Sequence, residues 1–583
     1  MTPPVALFES PSPGGRGAAF VFLQPVGVVC AHRLSDVPGA LAEVEAAVAK
    51  GMHAAGFITY EAAPGLDAAL VTWPPGQMPL VWFGLFRQRR QVRCGGLPTA
   101  GPCATGEWVP SVTRSEYDRA LNAIHAHIAA GDTYQVNYTF RLRTRLTGDC
   151  RSLYRDLCQR QRAACSAYID TGRFRLLSAS PESFFARQGT WLTTRPMKGT
   201  RSRGRWPDED ETLARQLHTS PKDRAENVMI VDLLRNDLGR VAITGTVEVP
   251  WLWTVERYPT VLQMTSTVSA RLQPGVGLIG LLRALFPCGS ITGAPKVRTM
   301  QLIRQVESTP REVYTGAIGF LSPGQVAHFS VPIRTVWADA ETDQAEYGVG
   351  GGITHDSSAA GEYEECRVKA RLLSAPARDF ALLETLLYEP GVGYFLLARH
   401  IRRLLDSARY FGFVVDEAAI RQALAAIATR FGPGAQRVRL QMGRDGVPRV
   451  RFQPVSQPRP SPWRAALVDK PVDESDPLLF HKTTWREPYD QAAAARPDCD
   501  QVILCNRRGE VTEAGIGNLV AVVDGHAVTP PVPCGLLAGT FRDELLAQGW
   551  LAERVLYPAD LRRARRLFLV NSVRRWVPLV LVD

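Results

Sequence analysis

Short apolar runs, broken by glycine and proline, pattern the first hundred residues. Phe20–Leu23, Phe57–Tyr60 and Leu80–Phe86 have the length and side chains of strands. Tyr117–Ala130 changes to helical spacing and is followed by Gly131, a helix stop. From Phe174 to Ile353 strand patterns dominate, with helical stretches near Ala225–Leu238 and Val297–Gln305. Glu362–Leu373 is helical by pattern. The small, proline-containing Ser374–Asp379 then interrupts the chain, and a new cycle begins. Leu397, Ile401, Leu404, Leu405 and Ala408 share one helical face. Strands are expected near Val438–Gln441 and Val502–Leu504, and the proline-rich Gln453–Pro462 reads as a loop. No fixed repeat runs through the chain. The pattern predicts two mixed units of the α+β or α/β class, residues 1–375 and 376–583.

A length of 583 residues leaves room for both cores, and 45% hydrophobic with 21% charged residues excludes fibrous and disordered classes. No apolar run approaches the roughly 18 residues of a membrane span. The start, MTPPVALFES, lacks a basic region followed by an apolar one, so no signal peptide is expected. The net charge of +11 suits an anionic partner. The basic clusters at Arg87–Arg93, Arg195–Arg205 and Arg562–Arg566 are short and lack interleaved aromatics, which argues against nucleic acid. Eleven cysteines without paired spacing predict neither disulfides nor zinc, and a cytoplasmic setting.

Two acidic patterns bear on chemistry. In GEYEECRVK, Glu362, Glu365 and Lys369 fall at i, i+3 and i+7 of a helix. In KDRAENVMIVDLLRNDL, Asp223 and Glu226 fall at i and i+3. Such faces are either solvated or, where two of them meet, bridged by a hard cation such as Mg²⁺. Between them lie GSITGAPK (Gly289–Lys296) and YGVGGGIT (Tyr347–Thr354). Their glycines permit either tight turns or a close approach of backbone amides to carboxylates. Neither is a Walker loop or a dinucleotide fingerprint.

SASPESFF, RPMKGTRSRG, KDRAENVMIVDLLRNDLGRV, FPCGSITGAPK, VYTGAIGF and GGGITHDSSAAGEYEECRVKA, in that order, resemble the chorismate-utilising enzymes over about residues 110–375. The resemblance implies a large sandwich of antiparallel sheets and a Mg²⁺ requirement. It assigns Glu226 and Glu365 to the metal, supported by Asp223 and Glu362. Thr292, Tyr314, Arg334, Lys369 and the amides of Gly350, Gly351 and Gly352 are assigned to the substrate, and Glu182 to protonation of the departing C4 hydroxyl. Residues 1–105, with VALFES and FITYEA, resemble part of the family's amino-terminal subdomain, which in some members binds tryptophan.

Two positions sort the family. Gln135 stands where water-adding members carry a lysine base, and glutamine cannot activate water that way. Lys198 stands where those members and anthranilate synthases carry a small residue. In members that make 4-amino-4-deoxychorismate this lysine is understood to add at C2 and expel the C4 hydroxyl, after which ammonia enters at C4. Gln263 replaces a histidine linked to pyruvate elimination in anthranilate synthases, which fits an enzyme that stops before elimination.

LLETL, HIRRLLDSA, FHKTTWREPYD, VTEAGIGNLV, CGLLAGTFR and NSVRRW resemble the fold-type IV pyridoxal-phosphate enzymes over about residues 380–583. That resemblance assigns Lys482 to the cofactor aldehyde and to proton transfer, and Glu513 to the pyridine nitrogen. Arg403 with the Leu537 and Thr540 region is assigned to the phosphate, and Asn518 belongs to the same motif. Together the halves imply chorismate and ammonia going to 4-amino-4-deoxychorismate, then pyruvate elimination to 4-aminobenzoate for folate. Lyase and aminotransferase share this apparatus, and the fusion favours the lyase. An anthranilate synthase fused to an aminotransferase, or a non-catalytic chorismate sensor, are the alternatives. No amidotransferase nucleophile loop is found, so a separate glutamine amidotransferase or free ammonium is expected to supply nitrogen, and relatives of the second half suggest a homodimer.

Overall fold

Apolar residues on successive positions need cover on both faces of a strand, and Val81–Val92 shows where that cover ends. Its first half, through Phe86, is buried, and the following Arg87–Val92 runs on in the same strand largely in solvent. The computed structural model describes residues 6–10, 17–95, 101–374, 378–455 and 462–582. The chain separates into two compact units. The first draws on residues up to 203 and from 213 to 377, the second on residues 204–212 and those from 378.

In the first unit nineteen strands connect edge to edge. Ala18–Ala31 lies between Ala6–Ser10 and Val81–Val92, and His53–Ile58 joins Val81–Val92 to Ala317–Ser322. The long strand Gln135–Gly148 runs antiparallel to Gln344–Ile353, which puts Gly350, Gly351 and Gly352 opposite Thr139, Tyr138 and Asn137. Met197–Ser202 pairs with Val261–Arg271, but the register slips between Met197 and Thr200. Two large apolar clusters hold the layers. One packs Val37, Leu41 and Val44 against Leu281, Leu282 and Leu285; the other packs Tyr117, Leu121 and Ile124 against Val136, Tyr138 and Phe140.

Local chemistry explains the helices that flank the site. Ser220 accepts from the Asp223 amide, and Pro221 opens the helix Pro221–Gly239 with its φ already suited to it. Thr113 and Glu116 form a reciprocal cap for Arg114–Ala129. Ala359–Ser374 carries the acidic face of GEYEECRVK. Several helices escape the pattern reading, among them Val37–Ala49, Cys150–Gln161, Pro207–Thr219 and Leu278–Leu285. The last is almost entirely apolar, so periodicity cannot tell it from a buried strand. The expected strand Phe57–Tyr60 ends at Ile58 and turns into a short 3-10 turn at Tyr60–Ala62. Parts of Ser374–Asp379 and of Gln453–Pro462 lie outside the described residues.

The second unit has a four-stranded antiparallel sheet and an eight-stranded mixed sheet. Leu397–Phe411 is the expected amphipathic helix; it buries Ile401, Leu404 and Ala408, exposes Arg402 and Arg409, and stops at Gly412 with φ +65°. Lys482 follows the short turn Pro477–Leu479, and Glu513 lies in the strand Val511–Ala514. Among the described residues no helix is long and apolar enough to cross a membrane.

Leu404 sits among Leu386, Ile420, Leu424 and Leu440. Leu404→Ala is expected to destabilise the second unit by about 2–5 kcal/mol, through lost burial and a cavity. Arg402→Ala, on the exposed face of the same helix, is expected to change stability by under about 0.5 kcal/mol. Urea midpoints followed by circular dichroism check both.

Candidate active sites

In the first unit Glu182, Gln135, Glu226, Glu365 and Lys369 converge on Lys198. Strand pairing does not hold the main chain of Lys198 and Gly199, because the register slips there. Side chains hold it instead. Gln263 donates through Nε2 to the Gly199 carbonyl at 2.9 Å and accepts from Thr200 Oγ1 at 2.8 Å. Asn227 donates to the Lys198 carbonyl at 3.4 Å and is itself fixed by Ser266 Oγ at 2.5 Å. Gly199 has φ +89°, and a Cβ there would lie 3.1 Å from Asp223 Cβ, so only glycine suits the turn.

The Lys198 amine is half-buried. Burial lowers its pKa, and Lys369 pushes the same way; Glu226, Glu182 and Glu365 oppose them. Glu182, only 4% exposed, receives Ser290 Oγ at 2.5 Å. Burial pushes its carboxyl up to about 7, against the pull of Ser290 and Lys198. Gln135 is fully buried, and neither end of its amide meets a protein partner. Gly352 makes room for both groups: a Cβ there would lie 2.7 Å from Lys198 Nζ and 2.8 Å from Gln135 Nε2. A buried unpaired amide is costly unless something else satisfies it, and a polar ligand beside Lys198 would do so.

Lys369 Nζ sits 2.6 Å from Glu365 Oε1 and donates to the Gly350 carbonyl at 2.8 Å. Burial acts to raise the Glu365 pKa, but Lys369 holds it below the usual carboxylate range. Glu362 receives Ser357 Oγ at 2.7 Å, burial raises its pKa, and its Oε2 lies 2.9 Å from where a Gly351 Cβ would be. Among the described residues no three His, Cys, Asp or Glu side chains gather into a ready ligand group. Mg²⁺ does not need one, since one or two carboxylates, waters and a substrate acid group complete its shell. Glu226 and Glu365, both near enough to act on the Lys198 charge, fit that hard-oxygen chemistry.

Arg334 donates to the Lys369 carbonyl at 3.1 Å. Thr292 and Tyr314 are engaged elsewhere. The Thr292 hydroxyl donates to the Cys288 carbonyl at 3.2 Å, and the Tyr314 ring covers Gly348 beneath the Arg141 guanidinium. Pattern reading missed Ser290, Asn227 and Arg311. Fully buried Arg311 joins Glu307 to the carbonyls of Ile291 and Asn137, which fixes the glycine loop against the strand that begins at Gln135.

In the second unit Lys482 is half-buried. Burial and Arg403 press its pKa down to about 8, with Glu384 opposing. Glu513 accepts from Tyr489 Oη at 2.7 Å, Asn518 Nδ2 at 3.2 Å and the Leu537 amide at 3.2 Å. Burial still pushes it up to about 7. The Leu537 amide thus serves Glu513. Gly539 is a cradle, because a Cβ there would strike Asn518 Oδ1 at 2.0 Å. Arg403 donates to Glu384 and to the Ala538 carbonyl at 2.9 Å. A half-buried amine, a buried carboxyl with three donors and an arginine fit pyridoxal phosphate: Lys482 would take the aldehyde, Glu513 the ring nitrogen and Arg403 with Thr540 the phosphate. Glu384, His400 and Tyr489 were not singled out, although all three lie inside quoted motifs.

Comparison with known proteins agrees with this division. The chorismate binding enzyme family matches residues 96–375 and the amino-transferase class IV family residues 381–582. Aminodeoxychorismate synthase component 1 of Salmonella typhimurium is 42% identical over 283 residues, which are 48% of this chain and 62% of that protein. Anthranilate synthase component 1 of Methanothermobacter thermautotrophicus is 33% identical over 338 residues, 54% of this chain and 72% of that protein. The structure of anthranilate synthase component I from Streptococcus pneumoniae matches with a TM-score of 0.54 at 24% identity, over 62% of this chain and 92% of that one, and so shows the shared fold. The chain thus spans 62% of the length of the Salmonella relative.

The raised Glu182 has a consequence for stability. A carboxyl whose pKa moves from 4.5 to about 7 on folding binds its proton more tightly in the folded state. Stability therefore falls as pH rises through that window. Glu182→Gln is expected to leave stability unchanged below pH ~4 and to raise it by up to about 3 kcal/mol above pH ~7.5. Denaturant midpoints measured across that range check it.

Proposed function

The chain belongs to the chorismate binding enzymes and carries an amino-transferase class IV unit behind them, and from that premise we propose that it converts chorismate to 4-aminobenzoate in two steps. The observation that carries the first step is the Lys198 amine, with its lowered pKa, beside the raised carboxyl of Glu182 and the unpartnered amide of Gln135. Burial keeps a share of Lys198 unprotonated, so its lone pair can form a bond to ring C2. Both ring double bonds shift by one place, the C4–O bond breaks, and the proton held by Glu182 passes to the departing oxygen as water forms. Ammonia then bonds to C4, both double bonds shift back, and the C2–N bond breaks to restore Lys198. Lys369, Arg334 and the glycine floor suit the carboxylates of a dianion. Mg²⁺ would sit on Glu226 and Glu365, with Asp223 and Glu362 behind them, and would neutralise the ring carboxylate.

In the second step pyridoxal phosphate supplies the electron sink. Lys482, with its amine near pKa 8, can remove the C4 proton near neutral pH. Glu513 holds the proton of the pyridine nitrogen, and Tyr489 and Asn518 keep that carboxyl in place. Pyruvate leaves as the ring becomes aromatic. Lyase rather than aminotransferase activity is supported by the first unit, which makes the amine the second consumes. Nitrogen from a separate glutamine amidotransferase, a homodimer through the second unit, a cytoplasmic setting and a place in folate synthesis complete the proposal. The likeness to an anthranilate synthase favours one rival, an ortho-aminating enzyme with an appended aminotransferase.

Purified protein with chorismate, ammonium and Mg²⁺ is expected to give aminodeoxychorismate without pyridoxal phosphate and 4-aminobenzoate with it. Chromatography with mass detection separates these from anthranilate, and anthranilate as the product would overturn the proposal. Lys198→Ala is expected to lower amination at least ~10³-fold and leave the cleavage of supplied aminodeoxychorismate within about twofold. Lys482→Ala is expected to do the reverse and to lose the visible absorbance of the bound cofactor. Loss of both activities in either folded variant would refute the two-site division.

A further inference from the structure

Behind Thr540 in the second site lie two buried groups that the steps above do not use, Glu384 and His400. Glu384, in the strand Leu382–Glu389, lies 2.6 Å from His400 Nδ1. His400, in the helix Leu397–Phe411, presents Nε2 to Thr540 Oγ1 at 3.3 Å. Thr540 is the first residue of the helix Thr540–Ala547. Glu384 and His400 are each 1% exposed. Arg403 grips the same carboxylate through Nε at 2.9 Å and Nη2 at 2.7 Å.

Hydrogen-bond direction is then forced. Burial acts to raise the Glu384 pKa, but Arg403 and His400 overcome it and hold the carboxyl at about 2, so it is ionised and only accepts. His400 Nδ1 must therefore carry a hydrogen. Burial lowers the His400 pKa against the pull of Glu384, so the ring is neutral near pH 8 and Nε2 has only a lone pair. The Thr540 hydroxyl must donate inward to Nε2, and its hydrogen is not available to an anion at the start of its helix. The neighbouring charges do not correct this. Glu384 and Arg403 cancel. Asp543 and Glu513 act on Arg403, Lys482 acts on His400, and Arg399 pairs with Glu544 at 2.7 Å. One more proton on the Glu384–His400 pair reverses the direction: Nε2–H donates to Thr540 Oγ1, and the hydroxyl hydrogen turns outward.

We propose that binding of the cofactor's phosphate is coupled to uptake of one proton by Glu384 and His400, which turns Thr540 from a donor inward to a donor toward the phosphate. The proposal rests on the pyridoxal phosphate reading, and its test separates the two. Full-length protein freed of cofactor is titrated with pyridoxal phosphate and with pyridoxal, which lacks the phosphate, by calorimetry near pH 8 in buffers of different ionisation enthalpy. Proton changes at Lys482 and Glu513 are common to both aldehydes, and a phosphate monoester with a second pKa near 6 is already a dianion there. Pyridoxal phosphate is expected to take up about one proton more than pyridoxal, and its affinity to fall about tenfold per pH unit relative to pyridoxal. His400→Asn is expected to abolish that difference. Should that variant not fold, Thr540→Val is expected to abolish it while Thr540→Ser retains it. Equal uptake for both aldehydes, or a difference that survives in His400→Asn or Thr540→Val, would overturn the proposal. Binding of neither aldehyde would overturn the cofactor reading and this inference with it.

Discussion

Each site depends on stripping water from an amine without removing every opposite charge around it. Desolvation alone drives an ammonium toward its neutral form. Carboxylates alone would drive it back. Lys198 sits between these pressures, with Glu226, Glu182 and Glu365 on one side of the balance and burial with Lys369 on the other. Lys482 meets the same contest with Arg403 set against Glu384. In both units the protein tips the balance toward the neutral amine, and a partnered carboxyl nearby is shifted up to about 7. Amine and acid are thus moved toward each other in pKa, which eases proton transfer between them.

That balance requires rigid surroundings, because small displacements change Coulomb terms steeply in a dry interior. Arg311 supplies part of the rigidity. It ties Glu307 to carbonyls on two separate segments, and Glu61 accepts its own amide at 2.7 Å. Lys296, in the glycine-rich loop, bonds Asp237 at 2.9 Å, so the loop is anchored to the helix that bears Asp223 and Glu226. These links use charges buried in pairs, which are costly to break singly.

Much of this arrangement was legible in the chain. The periodic stretches Tyr117–Ala130 and Leu397–Ala408 became helices, because a single apolar face leaves one way to bury it. The motifs that carry Lys198, Glu182 and Glu365 brought those groups together around one amine. Other parts were hidden for physical reasons. Leu278–Leu285 is apolar apart from Arg283 and only eight residues long, so its spacing says little. The role of Gln263 depends on a side-chain bond to Gly199 across 64 residues of separation, which no local window can show. His400 and Glu384 lie in recognised motifs, yet their hydrogen-bond sense follows only once Arg403 is seen on the same carboxylate. Arg87–Val92, which reads as a basic surface run, proved to be the outer half of a strand.

The slipped register at Lys198 and Gly199 has a mechanical side. A group that bonds to a ring carbon and lets go again in each cycle must shift by roughly the difference between contact and covalent distance. Most of a sheet resists such travel, since a ladder of shared hydrogens moves as one plate. Here two residues are held by the amide ends of Gln263 and Asn227 rather than by main-chain pairing. For the bond-making and bond-breaking proposed above, Lys198 would ride on that short suspension while the nineteen-stranded frame stays still.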